Sequence, residues 1–187
     1  MLRIVAGGLE DPRVVHLLNL HLVTARAQTA PGSAHALDLA GLKSPDVTFW
    51  SAWQDSELVA VGALKWLSDR HGEVKSMHTA EAFRRHGFGS TILGHIIDEA
   101  RRASMTRLSL ETGSWDYFRP AVALYKRHGF IECGPFAHYR LDRNSIFMTL
   151  DLSAPISLAP QEPGKTDREE QASAGALPSS ELGDVAS

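Results

Sequence analysis

Cysteine is nearly absent from this chain: Cys133 stands alone, so no disulfide can form within one molecule. A reduced, cytoplasmic setting is the expectation that follows. No run approaches the ~18 consecutive apolar residues of a membrane span. The apolar start, Leu2 to Ala6 interrupted by Arg3, is too short for a secretory signal, so a membrane is not an expected partner. No charge of one sign predominates either. The net charge is −3, of which residues 153–187 carry −4, leaving residues 1–152 at +1. A body so close to neutral lacks the broad basic face of a nucleic-acid binder. Nine histidines are present, but their spacing argues against a metal. His16 and His21 are split across a helix surface, strict alternation puts His71 and His78 on opposite faces of a strand, and no Cys/His cluster has zinc-like spacing.

What is there reads as one domain with a tail. Residues 153–187 hold no aromatic residue and four of the nine prolines. Such a segment cannot bury enough apolar surface to offset its chain entropy, and a disordered acidic tail is expected. Residues 1–152 alternate between strand and helix patterns. Leu2 to Ala6 reads as a strand. Asp11 and Pro12 read as an N-cap and first helical residue, opening a helix to about Ala27 with Val14, Val15, Leu18, Leu22 and Val23 at helical spacing. A short helix is expected over His35 to Leu42. Strands follow at Val47–Gln54, Leu58–Leu67 and Glu73–Thr79. An amphipathic helix is marked by Phe88, Ile92, Leu93, Ile96, Ile97 and Ala100. A strand over Leu108–Glu111, a helix over Pro120–Arg127, and strands over Phe130–Cys133 and Ile146–Leu150 complete the body. Helices mixed with hairpin and crossover connections indicate an α/β (α+β) domain around one mixed sheet.

The stretch from Glu73 to Ser90 carries the most chemistry. A strand runs into the basic turn Arg84-Arg85-His86-Gly87, and Phe88, Gly89 and Ser90 open a helix. The first turn of a helix has N–H groups without internal partners, and its dipole favours negative charge. Gly87 and Gly89 allow close approach to the main chain. Arg84 and Arg85 add donors suited to phosphate oxygens. The physical reading is a pyrophosphate cradle. No Lys-Ser or Lys-Thr follows the second glycine, so this is not a nucleoside-triphosphate loop. Ile92 stands where a dinucleotide fingerprint wants its third glycine.

Arg84-x-x-Gly87-x-Gly89 at a strand–helix junction resembles the Gln/Arg-x-x-Gly-x-Gly/Ala motif of the GNAT superfamily of N-acetyltransferases. Downstream, Ala123-Leu124-Tyr125 followed by Gly129-Phe130 resembles that superfamily's Ala-Leu-Tyr-x-x-x-Gly-Phe segment. The two signatures occur in order, with a helix and a strand between them, and the resemblance covers about residues 2–151. Three segments, starting at His35, Thr48 and Lys75, look more narrowly like a YsnE-like bacterial branch.

The resemblance implies a single domain with a splayed central sheet flanked by helices, and acetyl-coenzyme A as co-substrate without a metal. On its terms Met77, His78 and Thr79 pair through their main chain with the pantetheine arm. An amide near Met77 polarises the thioester carbonyl, and the N–H groups of Arg85 to Ser90 hold the pyrophosphate. Tyr125 faces the sulfur and hydrogen-bonds the departing thiolate. Two carboxylates match bases used in GNAT subfamilies. Glu73, at the start of the cofactor strand, shares a face with Lys75, Met77 and Thr79 by strict alternation; Glu111 ends the next strand and is the stronger of the two. Phe118 stands where many members place a coenzyme-contacting asparagine, so that contact is lost or passes to Ser114.

Trp115, Tyr117, Phe118, Phe136, His138, Tyr139, Arg140 and His35 are expected to border the acceptor channel. The acceptor is read as an amine of a small molecule or peptide, and a homodimer is left open. Two other readings remain at this stage. One is a non-catalytic acyl-coenzyme A binding or sensing module, which would lack a working base. The other is a nucleotide-binding domain.

Overall fold

The structure, a computed structural model, describes residues 1–27 and 37–153. The expectations of a disordered tail after residue 152 and of a helix start and channel wall at His35 lie outside the described residues.

Seven strands form one sheet: β1 (Leu2–Ala6), β2 (Val47–Gln54), β3 (Glu57–Ser68), β4 (His71–Thr79), β5 (Arg107–Gly113), β6 (Ile131–Cys133) and β7 (Ser145–Asp151), in spatial order β1-β2-β3-β4-β5-β7-β6. Every neighbouring pair is antiparallel except β4 and β5, which run parallel. A parallel pair needs a crossover connection, and α3 (Phe88–Arg102) supplies it. The helices α1 (Pro12–Ala27), α2 (Leu39–Leu42) and α4 (Arg119–Arg127) complete the flanking layers.

The two faces of the sheet bury separate cores. On one, Ile92, Leu93, Ile96, Ile97 and Ala100 of α3 pack with Leu64, Val74, Leu108, Leu110 and Met148. Burying each large aliphatic side chain of that stripe contributes about 1.5–3 kcal/mol, which is why the amphipathic pattern decides the helix. On the other face, Val14, Leu17 and Leu18 of α1 pack with Phe49, Trp53, Val61 and Ala63. Asp11 caps α1 as expected, accepting the Arg13 N–H at 2.9 Å. Val23, read as part of the buried stripe, is 64% exposed instead.

β4 carries the irregularity that matters. Lys75 is paired with Ala63 and His78 with Val61, so Ser76 and Met77 together oppose only Gly62. Ser76 takes φ +52. This is a bulge: one extra residue bends the strand and reverses its in/out alternation. Glu73 and Lys75 face α1, whereas Met77 packs on the α3 side, its sulfur beside the missing Cβ of Gly62. Val61 and Ala63 lie in the α1-side core, so their partners His78 and Lys75 share that face. The expectation that Glu73 shares a face with Met77 and Thr79 is therefore overturned. So is the placement of His71 and His78 on opposite faces. Strict alternation cannot see a bulge that no glycine or proline on β4 itself marks; the one glycine at it, Gly62, lies on β3.

Gly72 shows how tightly β4 is packed. A Cβ there would lie 2.6 Å from Leu64 Cδ1, 2.8 Å from Met105 Sδ and 3.0 Å from Leu108 Cδ2. Three neighbours must yield at once, so Gly72→Ala is expected to destabilise by about 1–3 kcal/mol. The check is a lower denaturation midpoint at unchanged m-value; an unchanged midpoint would mean that this core has room to spare.

Candidate active site

β4 and β5 are in register only at His71/Arg107, Gly72/Leu108 and Glu73/Ser109. β4 runs on to Thr79 and β5 to Gly113 without further pairing to each other. The parallel strands thus part beyond Glu73, and the bulge lies on the parted segment of β4. Neither Ser76 nor Met77 has a registered partner on β3, so main-chain groups of this stretch are left for other partners.

Beyond Thr79 the chain makes a 3₁₀ turn over Glu81–Phe83 and a left-handed turn at Arg85 (φ +64) and Gly87 (φ +87). The Thr91 N–H closes on the Gly87 carbonyl at 3.0 Å, leaving the N–H groups of Phe88, Gly89 and Ser90 at the open helix end. Arg84, Arg85, His86 and Gly87 are exposed. His86 Nδ1 meets the Arg84 carbonyl at 2.8 Å and its ring stacks on Phe88. A Cβ at Gly89 would come within 3.1 Å of Thr79 Oγ1, so the helix start sits directly against the end of β4. A polarised helix end with free amides and two exposed guanidinium groups fits a diphosphate. Ser90 Oγ and His128 Nε2 are 2.7 Å apart, which ties this end to the foot of α4.

Tyr125, on α4, is 7% exposed and meets Phe130 edge to face. Burial first, and the nearby Glu111 charge second, push its hydroxyl well above the usual tyrosine range. The Tyr125 hydroxyl therefore stays protonated and neutral.

The two candidate carboxylates have different surroundings. Glu73 is 1% exposed. Its Oε1 accepts the Tyr139 hydroxyl at 2.6 Å and the Lys75 ammonium at 3.1 Å, and Lys75 also donates to the Tyr139 oxygen at 2.8 Å. The result is a buried three-way knot pinning the loop between β6 and β7 onto β4. Glu111 is half-buried and accepts the Ser145 hydroxyl at 2.6 Å. It lies on β5 two residues past the last β4 pair, with the strand running on to Gly113 rather than ending there. Its charge is felt at both Tyr125 and Tyr139.

On the α1 face, His78 Nδ1 and His21 Nδ1 are 3.1 Å apart. One ring must donate and the other accept. Burial lowers both, His21 to about 4 with help from Lys75, and His78 to about 3 with help from His21 and Arg84. The pair is neutral near pH 7. Among the described residues no group of three His, Cys, Asp or Glu could hold an ion.

Around the mouth, Trp115 is 50% and Tyr117 38% exposed. The Phe118 ring lies over Gly113, where a Cβ would meet it at 2.3 Å. Ser114 donates its N–H to the Asn144 carbonyl at 2.9 Å and its hydroxyl to the Arg143 carbonyl at 3.1 Å. That hydroxyl serves the loop between β6 and β7. Phe136 and Tyr139 pack on Phe147 beside the knot, while His138, stacked on Tyr139, and Arg140 are exposed. Three partners escaped the sequence reading: Lys75 as counter-ion to Glu73, Ser145 on Glu111, and His21 beside His78. Only Lys75 left a signal, an opposite charge two residues along one strand.

The sequence model described as "Acetyltransferase (GNAT) family" matches residues 16–130. The uncharacterized N-acetyltransferase YsnE of Bacillus subtilis is 50% identical over 140 residues, spanning 75% of this chain and 93% of that protein. The uncharacterized N-acetyltransferase YedL of Escherichia coli is 46% identical over 152 residues, 81% of this chain and 96% of that one. Among solved structures, a Bacillus subtilis acetyltransferase in complex with CoA superposes with a TM-score of 0.60 at 20% identity, over 81% of this chain and 99% of the other.

Proposed function

The chain belongs to the acetyltransferase (GNAT) family and is an acyltransferase; from that premise we propose that it moves an acetyl group from acetyl-coenzyme A to an amine of a small molecule or peptide, by direct attack in a ternary complex. The carrying observation is the parting of β4 from β5 beyond Glu73, with a bare helix start at one end of the gap and Tyr125 and Glu111 within electrostatic reach of each other. Residues 1–152 are taken as the catalytic domain, and a cytoplasmic location goes with the lone Cys133.

Bound acetyl-coenzyme A would supply a thioester as the electrophile. Arg84, Arg85, His86 and Gly87 and the N–H groups of Phe88, Gly89 and Ser90 hold the diphosphate. The main chain at Met77, His78 and Thr79, unpaired with β5, aligns the pantetheine arm, and an amide of the bulge polarises the carbonyl. Glu111 takes the proton of the attacking amine. The Tyr125 hydroxyl steadies the departing thiolate; full proton transfer is uphill for a phenol raised above its ordinary value, so a hydrogen bond is its role. Glu73 is assigned a different part, as the counter-charge that seats Tyr139 and its loop.

Thiol release from acetyl-coenzyme A across a panel of amines tests the reading. With an amine that responds, Tyr125→Phe is expected to lower kcat about 10- to 100-fold, the worth of a hydrogen bond to a charged group, with coenzyme A affinity unchanged. No response to any amine, or wild-type turnover in Tyr125→Phe, would count against the proposal and against the tyrosine respectively.

A further inference from the structure

On the α1 face, at the end of the sheet where β4 and β5 are still paired, lies a separate cavity of about 610 Å³. Its walls include Arg70, His71, Arg107, Phe136 and Thr149, and the edge strand β6 closes one side. The acetyl-transfer reading uses none of its polar groups.

The polar wall is internally satisfied. Thr149 Oγ1 donates to the Leu108 carbonyl at 3.1 Å and Ser109 Oγ donates to Thr149 Oγ1 at 3.3 Å. Each hydroxyl has one proton, so Ser109 can only accept from His71 Nε2, 2.8 Å away. The guanidinium groups differ. Arg107 and Asp151 are directly opposed across β5 and β7, an arrangement that favours a cross-strand ion pair. Asp151 instead turns its carboxylate onto the Ser153 N–H at 2.8 Å. Among the described residues no carboxylate comes within the 4.0 Å of an ion pair to Arg107 or Arg70. The Arg107 charge reaches His71, Cys133 and Asp151, three groups that line the cavity.

The lining therefore holds two cations and one anion, a surplus of one positive charge beside the apolar surface of Phe136 and of Ile131, which is 66% exposed. A dianion would be under-compensated there, whereas a monoanion is matched. We propose that this cavity is a binding site for a small organic monoanion, its carboxylate on Arg107 and its apolar body against Phe136 and Ile131. The proposal does not depend on the acetyl-transfer reading.

Calorimetry on the full chain decides it, with benzoate as probe, benzamide as its neutral counterpart and inorganic phosphate as the competing anion. Saturable benzoate binding is expected, at least about tenfold tighter than benzamide or phosphate and weakened about tenfold or more by Arg107→Gln, with coenzyme A affinity unchanged in that variant. Arg107 is exposed, so folding should survive; Arg70→Gln, expected to weaken benzoate in the same direction, is the second variant. Absence of saturable benzoate binding, phosphate binding more tightly than benzoate, or benzoate affinity unmoved in both variants would each overturn the assignment.

Discussion

Glu111→Gln is expected to lower kcat/KM for the amine by about 10²–10⁴-fold, the range for loss of a positioned base, while coenzyme A binds as before. An amine acceptor is largely protonated near neutral pH and cannot attack until the proton is removed. On the proposed reading Glu111 removes it; the residue is half-buried, on the parted stretch of β5, and close enough to Tyr125 to raise that hydroxyl. Glu73 is a poor candidate, being 1% exposed with its charge balanced by Lys75 at 3.1 Å. The glutamine is nearly isosteric and its carbonyl can still accept from Ser145, so the fold should persist. In the variant the acidic limb of the pH–rate profile should follow only the ionisation of the free amine. A variant within twofold of wild type, with the acidic limb unmoved, would remove Glu111 from the chemistry.

How far the sequence reached can be traced through a few residues. Ile92, Leu93, Ile96 and Ile97 repeat at helical spacing, and burial of one stripe is what forms α3, so that element was readable. Gly87 reads as leaving the main chain open to a phosphate; its φ of +87 adds a left-handed turn that also suits glycine. The motif pair around Gly89 and Tyr125 pointed to the family. The bulge was not readable. Ser76 carries a left-handed φ of +52 that its residue type does not advertise, and beyond it every side chain of β4 changes face. His78 consequently meets His21, 57 positions earlier. Before the bulge, Glu73 is reached by Tyr139 across 66 positions. Contacts so distant in sequence leave no periodic trace. The exposure of Val23 is a milder case: it fits a helical stripe, but the layer beneath α1 does not extend under it.

The knot at Glu73 gives the largest expected effect on stability. Its carboxylate, the Lys75 ammonium at 8% exposure and the Tyr139 hydroxyl form a closed triangle with sides of 2.6, 2.8 and 3.1 Å. Removing one charge of a buried pair leaves the other poorly compensated, at a cost of about 3–5 kcal/mol. Glu73→Gln should therefore lower Tm by roughly 6–20 °C for a chain of this size. The same reasoning predicts a rescue. Replacing both partners with uncharged groups is often close to neutral, so Glu73→Gln combined with Lys75→Met should recover most of the loss, a coupling that a double-mutant cycle reads directly. Activity separates this role from catalysis. Well below its Tm, Glu73→Gln should keep the wild-type acidic limb, which in Glu111→Gln moves to the ionisation of the free amine, with any defect falling on KM for the amine, because Tyr139 and its loop are no longer fixed. A stable Glu73→Gln protein whose acidic limb followed only the free amine would reverse the assignment and make Glu73 the base.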